Sequence, residues 1–590
     1  MSFTPPAPFT TRPQLEGAHG FAASTHWLAT GAAQAVLERG GNAFDAVVAG
    51  GFVLHIVEPH LNGPGGDLVG IFQTADAEEP TVLMGQGAAP AGATIDHFRQ
   101  EGLDLVPGAG GLAAAIPAAV DAWLLLLRDH GTQELDEVLA AAIGYARDGH
   151  PILPAAAATI GRVEDLFRDH WPSSAALWMP TGSAPRGGDV VRNPAYADVL
   201  VGLVAAGSEG ATRRERIDAA REHWRRTLHA AVDFLRTPHR HSSGTDHAGV
   251  LTAADIDGAR AGYESAVTAD FRGWTVAKSG TWGQGPALLQ ALRILEPLAD
   301  ERLDPSTIEG AHTILETLKL VLADRDAHFG DGVDASPLLG EEYIVTRRAL
   351  LGDVASRDWR PGSPVGLTPH HPPLRTADGR SAGTGEPTVS PTGSTRGDTC
   401  HIDVVDRWGN IVAVTPSGGW LQSSPVIPEL GFCLGTRLQM CWLDPSSPSA
   451  LRPGARPRTT LTPTMILRDG RAVVAMGTPG GDQQDQWQLP MLLRMLVGGY
   501  TAQQAIDAPT FHTTAMIDSF WPRTWTANCV VAEDRLGEGV LDGLAARGHD
   551  VTRVGGWTLG RLSAVGIDRD RRLLWAAANA RGMSGYAAGR

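Results

Sequence analysis

Long stretches of helical periodicity alternate along this chain with short runs of period-two alternation, and their order is informative. Small apolar residues recur at helical spacing from Gly31 to Gly51 and break at Gly40-Gly41, which predicts two helices meeting at a tight turn. A glycine-dense turn from Glu58 to Asp67 leads into a strand at Leu68 to Gln73, and such a turn lets backbone pack closely on backbone. Gly110 to Gly149 reads as Ala-rich helix and Ala211 to Arg240 as a charged amphipathic helix with a solvated face. Gly285 to Glu296 and Gly310 to Asp331 are two further helices.

After Trp359 the periodicity stops, and residues 360–398 form a Pro-, Gly-, Ser- and Thr-rich stretch that reads as a flexible tail or linker. Beyond it strands dominate. Cys400, Ile402 and Val404 alternate with His401, Asp403 and Val405, Asp406 to Asn410 supplies a turn, and Ile411 to Thr415 returns as the second strand of a hairpin. Thr462 to Leu467 and Val473 to Gly477 form another hairpin around Asp469-Gly470, and helix resumes at Gln486 to Leu496 and Thr501 to Ala508.

The 590 residues are 43% hydrophobic and 19% charged, the composition of a globular protein. A formal net charge of -16 argues against a nucleic-acid surface, which needs clustered Lys and Arg. No segment reaches the roughly 18 to 20 apolar residues of a membrane span, and the first residues lack a basic start and an apolar run, so a cytoplasmic location without membrane contact is expected. The four cysteines, Cys400, Cys433, Cys441 and Cys529, lack zinc spacing and read as buried, reduced thiols. His239, His241 and His247 sit close together in a loop without helical spacing, so no metal is expected there, nor any organic cofactor elsewhere.

The chemistry concentrates at the first hairpin. Were the peptide bond between Asp398 and Thr399 cut, one residue would carry both a hydroxyl nucleophile and a free α-amine able to take its proton near neutral pH. The alternative is that Thr399 simply starts a strand, where threonine is favoured anyway. Met476 to Gly481 ends a strand in two glycines, whose backbone N–H groups can form an oxyanion hole or an ordinary turn. In Arg456 to Thr464, adjacent hydroxyls and two arginines can hold a carboxylate, or the segment is a turn entering a strand. Gly379 to Gly383 matches the G-x-S-x-G elbow but lies in the linker, without the strand and helix that expose such a serine.

These residues resemble the γ-glutamyltransferase family of N-terminal-nucleophile hydrolases over nearly the whole chain. TCHIDVVDRWGNIVAVT is similar to the hairpin that opens the family's small subunit, GTPGG to its oxyanion motif, and RTTLTPT to its paired-serine motif. GGNAFDAVVAG, LKLVLADRDAHFGD and QQAIDAPTFH match further blocks. The resemblance implies an α+β fold, a four-layer αββα sandwich. It also implies self-cleavage before Thr399 into a heterodimer of residues 1–398 and 399–590 forming one intertwined domain, with further oligomerisation open. Thr399 would be the nucleophile, Thr415 and Ser417 would hold it in place, Gly480 and Gly481 would form the oxyanion hole, and Thr459 and Thr460 would replace the paired serines.

Several positions depart from the family. Gln86 stands where an arginine holds the γ-glutamyl carboxylate, Gly419 where an asparagine holds the amine, and Gln439 to Trp442 where a Gln and an Asp complete the clamp, so that Trp442 replaces a carboxylate. Burying an unmatched charge is unfavourable, so γ-glutamyl amides should be poor substrates. Arg456 or Arg458 can reach a carboxylate instead, Trp420 or Trp442 can line a less polar pocket, and Asp482, Gln483 and Gln484 can read an amide. The expected function is a self-processing amidohydrolase acting on a small-molecule amide. The rivals are a genuine γ-glutamyl hydrolase or transferase with a rebuilt clamp, and an uncleaved, silent binding protein.

Overall fold

Strands from both sides of Thr399 interleave in two seven-stranded antiparallel sheets. The structure, a computed structural model, describes residues 3–208, 210–376 and 399–590. One sheet runs Tyr586–Gly589, Gly20–Ser24, Ile402–Asp406, Ile411–Ser417, Asp67–Gln73, Thr81–Gly85, Gly262–Ser265. The other runs Leu15–Gly17, Leu573–Ala578, Ser563–Asp568, Arg471–Gly477, Thr464–Arg468, Trp274–Lys278, Val267–Phe271.

Alternation along each strand then fixes the layers. Ile402, Val404, Val412 and Val414 face a core shared with helices Trp27–Glu38, Ala43–Val57 and Ala119–His130. Phe21, Ala23, Val69, Ile71 and Ala413 face the other way, onto Ala277, Met465, Ala475, Val565 and Ala576 of the facing sheet. That sheet's outer side, with Val276, Ile466, Val474 and Met476, is covered by helices Gly285–Leu295, Ile308–His328 and Gln484–Leu496. The result is the four-layer αββα sandwich of an α+β fold.

Local chemistry explains the boundaries. Gly40 at φ 91° lets the first helix end, and Asn42 with Asp45 forms a capping box that starts the next. The predicted Gly110 to Gly149 helix is two helices, Ala119–His130 and Leu135–Asp148, because the Asp45 carboxylate accepts the N–H groups of Thr132 (2.8 Å) and Gln133 (3.0 Å) in between. The Asp469-Gly470 turn has positive φ at both residues (52° and 75°), as a two-residue hairpin requires. Helix Arg213–Thr227 is less solvated than its charge predicts, since Arg221 and Arg225 are buried on Asp121.

Part of the expected tail lies along the body. Gly362 N–H donates to Asp324 (2.7 Å), His370 N–H to the Ala327 carbonyl (3.1 Å), and Trp525 N–H to the Arg375 carbonyl (2.6 Å). Residues 377–398, including Asp398 and the Gly379 to Gly383 elbow match, lie outside the described residues.

Candidate active site

Thr399 bridges to Ser417 at the open end of the hairpin, and its hydroxyl donates to Ser417 Oγ at 3.3 Å. Cys400 N–H donates to the Pro416 carbonyl (3.0 Å) and locks this register. Because alternate residues share a face, His401 and Asp403 follow Thr399 on the side between the sheets. His401 Nδ1 is 2.9 Å from Thr415 Oγ1 and Nε2 is 2.7 Å from Asp403 Oδ1, while Ser563 Oγ donates to Asp403 Oδ2 at 2.7 Å. Thr399, Thr415, Ser417, His401 and Asp403 are all buried. Burial raises the Asp403 carboxyl above its ordinary range, against the pull of His401.

The opposite face anchors the strand. Cys400 Sγ donates to Glu58 Oε2 (3.1 Å), which also accepts the Thr25 hydroxyl (2.5 Å), and burial raises the Glu58 carboxyl. His401, Asp403 and Glu58 were not among the expected site residues, although the period-two pattern marks the first two.

The glycine loop meets this line from the facing sheet. Gly477, at the end of its strand, packs so closely on the His401 ring that a Cβ there would lie 2.3 Å from Cε1. Gly480 has φ 137° and lies under Trp487, where a Cβ would sit 2.2 Å from Cζ3, and Gly481 has φ 51°. The next residue, Asp482, is buried. It pairs with Arg325 and accepts Ser519 N–H (2.9 Å) and the Ser519 hydroxyl (2.5 Å), so it is committed to structure.

A nucleophile candidate at a hairpin start, a hydroxyl neighbour, and a strained glycine pair on the facing sheet are thus assembled from segments far apart in sequence. The gamma-glutamyltranspeptidase family model matches residues 29–589. The chain belongs to that family. It is 29% identical to the oxamate amidohydrolase proenzyme of Klebsiella pneumoniae, covering 90% of this chain and 91% of the relative. It is 24% identical to the glutathione hydrolase proenzyme of Bacillus subtilis, covering 96% and 91%. Among solved structures, LmbA2991HD is 50% identical with a TM-score of 0.93, covering 99% of this chain and 100% of that one. A cephalosporin acylase from Bacillus halodurans is 25% identical with a TM-score of 0.81, covering 99% and 98%. The chain is therefore an enzyme of the gamma-glutamyltranspeptidase family.

At the positions expected to depart from the family's clamp, the structure shows what occupies the space. Gly419 has φ 63°, and a Cβ there would lie 2.9 Å from Gly66 N and 3.3 Å from Gly63 O, so the glycine-dense turn fills the space an asparagine would need. Gln439 is used up: Nε2 donates to the Gly108 carbonyl (3.2 Å) and Thr436 Oγ1 (3.0 Å), and Oε1 accepts Trp521 N–H (3.2 Å). Trp442 is covered by the Arg523 guanidinium at 4.1 Å. Gln86 is buried and lines a cavity of about 670 Å³ shared with Asp121, Arg225 and Arg456.

The arginines divide. Arg456 is paired with Asp331 (2.7 Å) and Glu264 (2.5 Å), which leaves it no charge to offer a substrate. Arg458 is buried and hydrogen-bonds Ser519 Oγ (2.6 Å). Thr459 Oγ1 accepts Leu461 N–H (3.4 Å), whereas the buried Thr460 hydroxyl has no partner among the described residues.

The histidine trio is committed to the fold. His239 Nε2 and His241 Nε2 accept the N–H groups of Gly111 (2.9 Å) and Leu112 (3.0 Å), and His247 meets Glu101 (2.6 Å). Among the described residues no group of three or more His, Cys, Asp or Glu side chains is disposed to hold a metal, and no helix is long and apolar enough to cross a membrane.

Proposed function

We propose that the protein is a self-processing amidohydrolase in which Thr399 is the nucleophile, and that standard γ-glutamyl amides are not its substrates. The observation that carries this is the Thr399–Ser417 pair at the open end of the hairpin, with the His401 line below it and the glycine loop opposite.

In the precursor, Thr399 Oγ attacks the carbonyl carbon of Asp398 and the Asp398–Thr399 C–N bond breaks, which frees the Thr399 α-amine and leaves Asp398 as an ester on Oγ; water then hydrolyses that ester, releasing the Asp398 carboxylate and the Thr399 hydroxyl. In the mature enzyme that amine takes the hydroxyl proton as Oγ bonds to the amide carbonyl carbon. The Gly480 and Gly481 N–H groups receive the oxyanion, an interaction typically worth roughly 10²- to 10³-fold in rate. The leaving amine takes the proton and departs as the C–N bond breaks. Water then adds to the acyl-Thr399 ester, releasing a carboxylic acid and restoring the hydroxyl. Relatives bearing the names oxamate amidohydrolase, acylase and glutathione hydrolase proenzyme support a cleaved amide hydrolase.

Denaturing intact-mass measurement with N-terminal sequencing tests the reading. A fragment beginning Thr-Cys-His-Ile in wild type, absent from Thr399→Ala, is the expected result. A single uncut chain in fresh wild-type protein would overturn it in favour of a silent binding protein.

A further inference from the structure

Three buried arginines stand beside the glycine loop, and their charges are unequally matched. Arg325 is fully paired, with Asp326 (2.9 Å) and with Asp482. Among the described residues, Arg458, 3% exposed, has its nearest carboxylate, Asp326, at 3.9 Å; it donates from Nη2 to Ser519, and Nη1 has no partner there. Arg523, 2% exposed, donates from Nη2 to the carbonyls of Gln439 (3.0 Å) and Cys441 (3.3 Å), and among the described residues no carboxylate lies within 4.0 Å of it. Guanidiniums removed from water without a counter-ion are destabilising unless something completes them.

The charge balance points the same way. The Asp518 carboxyl is pushed up to about 8 by burial and by neighbouring Asp482, so it is mostly neutral at pH 7. Arg325, Arg458 and Arg523 then face the carboxylates of Asp326 and Asp482 alone. One positive charge is left over in a dry place.

That place is connected to the residues of the proposed reaction centre from two sides. Ser519 Oγ links Arg458 to Asp482, the residue after Gly481. The carbonyl of Gln439, to which Arg523 donates, belongs to the turn Arg437–Met440. Arg437 in that turn pairs bidentately with Asp67 (2.6 and 2.8 Å), and Asp67 lies opposite Ser417 in the sheet. The Thr460 hydroxyl, which has no partner among the described residues, lies two residues beyond Arg458.

We propose, given the acyl-Thr399 reading, that Arg458 and Arg523 clamp a carboxylate carried by the substrate's acyl group. The substrate class is then a mono-amide of a small dicarboxylic acid: one carboxyl is transferred to Thr399, and the other stays ionised on the two guanidiniums. Trp442, where the family places a carboxylate, offers no anion to an α-ammonium, so an acyl group without that ammonium fits better than a γ-glutamyl group.

The test compares p-nitroanilides of oxalyl, succinyl and glutaryl groups with their neutral acetyl, butyryl and valeryl counterparts on purified wild type, Arg458→Gln, Arg458→Lys and Arg523→Gln. Each protein is first checked for cleavage by intact mass and for folding by thermal melt. Wild type should favour at least one carboxylated anilide in kcat/KM by on the order of 100-fold over its neutral counterpart. That ratio should collapse, mainly through KM, in both Gln variants and be partly kept by Arg458→Lys. Equal turnover of both series by cleaved wild type, or a ratio unchanged in the variants, would overturn the clamp.

If wild type is uncleaved and turns over neither series, the Thr399 reading has failed instead. Calorimetric titration of wild type and Arg458→Gln with free oxalate, succinate and glutarate then decides the clamp separately. Binding lost in the variant supports it, and no binding to wild type overturns it. The same titration serves if the Gln variants melt early, with Arg458→Lys as the comparison.

Discussion

His401 Nδ1 lies 2.9 Å from the Thr415 hydroxyl. With Nε2 2.7 Å from Asp403 and Ser563 donating to the same carboxylate, this gives the hairpin a polar line that ends beside Thr399 and Ser417. With Asp403 accepting from Nε2–H, the bare Nδ1 accepts from Thr415 and fixes that hydroxyl's direction. Asp403→Asn lets the ring reverse its tautomer, as amide N–H can donate where carboxylate oxygen accepted. Cleavage before Thr399, followed by denaturing mass spectrometry over time, should slow by roughly 10- to 100-fold, the usual effect of misdirecting a reacting group. Cleavage at the wild-type rate would remove His401 and Asp403 from the positioning scheme.

Gly480→Ala should be more damaging than Ser417→Ala. A methyl group at position 480 meets the Trp487 ring at 2.2 Å and opposes a backbone at φ 137°, so the loop must move and with it the N–H groups proposed to receive the oxyanion. An anilide turnover loss of roughly 10²- to 10³-fold is expected. Ser417→Ala removes a single hydroxyl 3.3 Å from the Thr399 hydroxyl, and Ser417→Thr should restore whatever it loses. Full activity in Gly480→Ala would place the oxyanion hole elsewhere.

In this region the residues on regular strands could be placed by alternation, whereas the Asp518 to Arg523 loop could not. Alternation in residues 400–405 is a direct record of a two-faced strand, so Thr399, His401 and Asp403 share a side by necessity. Arg523, Ser519 and Asp518 sit in a loop with no period, and they meet Arg458 and Asp482 only through tertiary packing. Arg221 and Arg225 were read as solvated for a similar reason, since their partner Asp121 lies 100 residues or more away. Gln439 matched the family's residue type, yet three hydrogen bonds to the protein itself occupy its amide.

Asp518→Asn should change how stability depends on pH. The carboxyl rises from an ordinary value of 3.8 to about 8 because it is buried and faces Asp482, more than Arg325 offsets, while Arg523 stands close by. Between those two values the folded protein holds a proton that the unfolded chain has released. Asp518 therefore contributes stability that is fully present below about pH 4 and is lost as pH rises toward about 8. Asparagine never ionises and can still accept Phe520 N–H, now at 3.0 Å from Asp518 Oδ1. Melting curves at pH 5, 7 and 9 should show the variant gaining on wild type as pH rises, and a constant difference would refute the shift.

Restoring the γ-glutamyl clamp one residue at a time should fail. Gln86→Arg places a cation beside a cavity that already contains Arg225 and Arg456, paired with Asp121 and Asp331. Gly419→Asn needs room that Gly63 and Gly66 occupy, at a φ of 63°. Trp442→Asp would supply the missing anion but also place it against Arg523, 4.1 Å from the present ring, which would neutralise it before any substrate ammonium arrived. Turnover of γ-glutamyl-p-nitroanilide should therefore stay within a few-fold of wild type in each single variant, whereas a rise of about 100-fold or more would mean that one lost residue alone had set the substrate class.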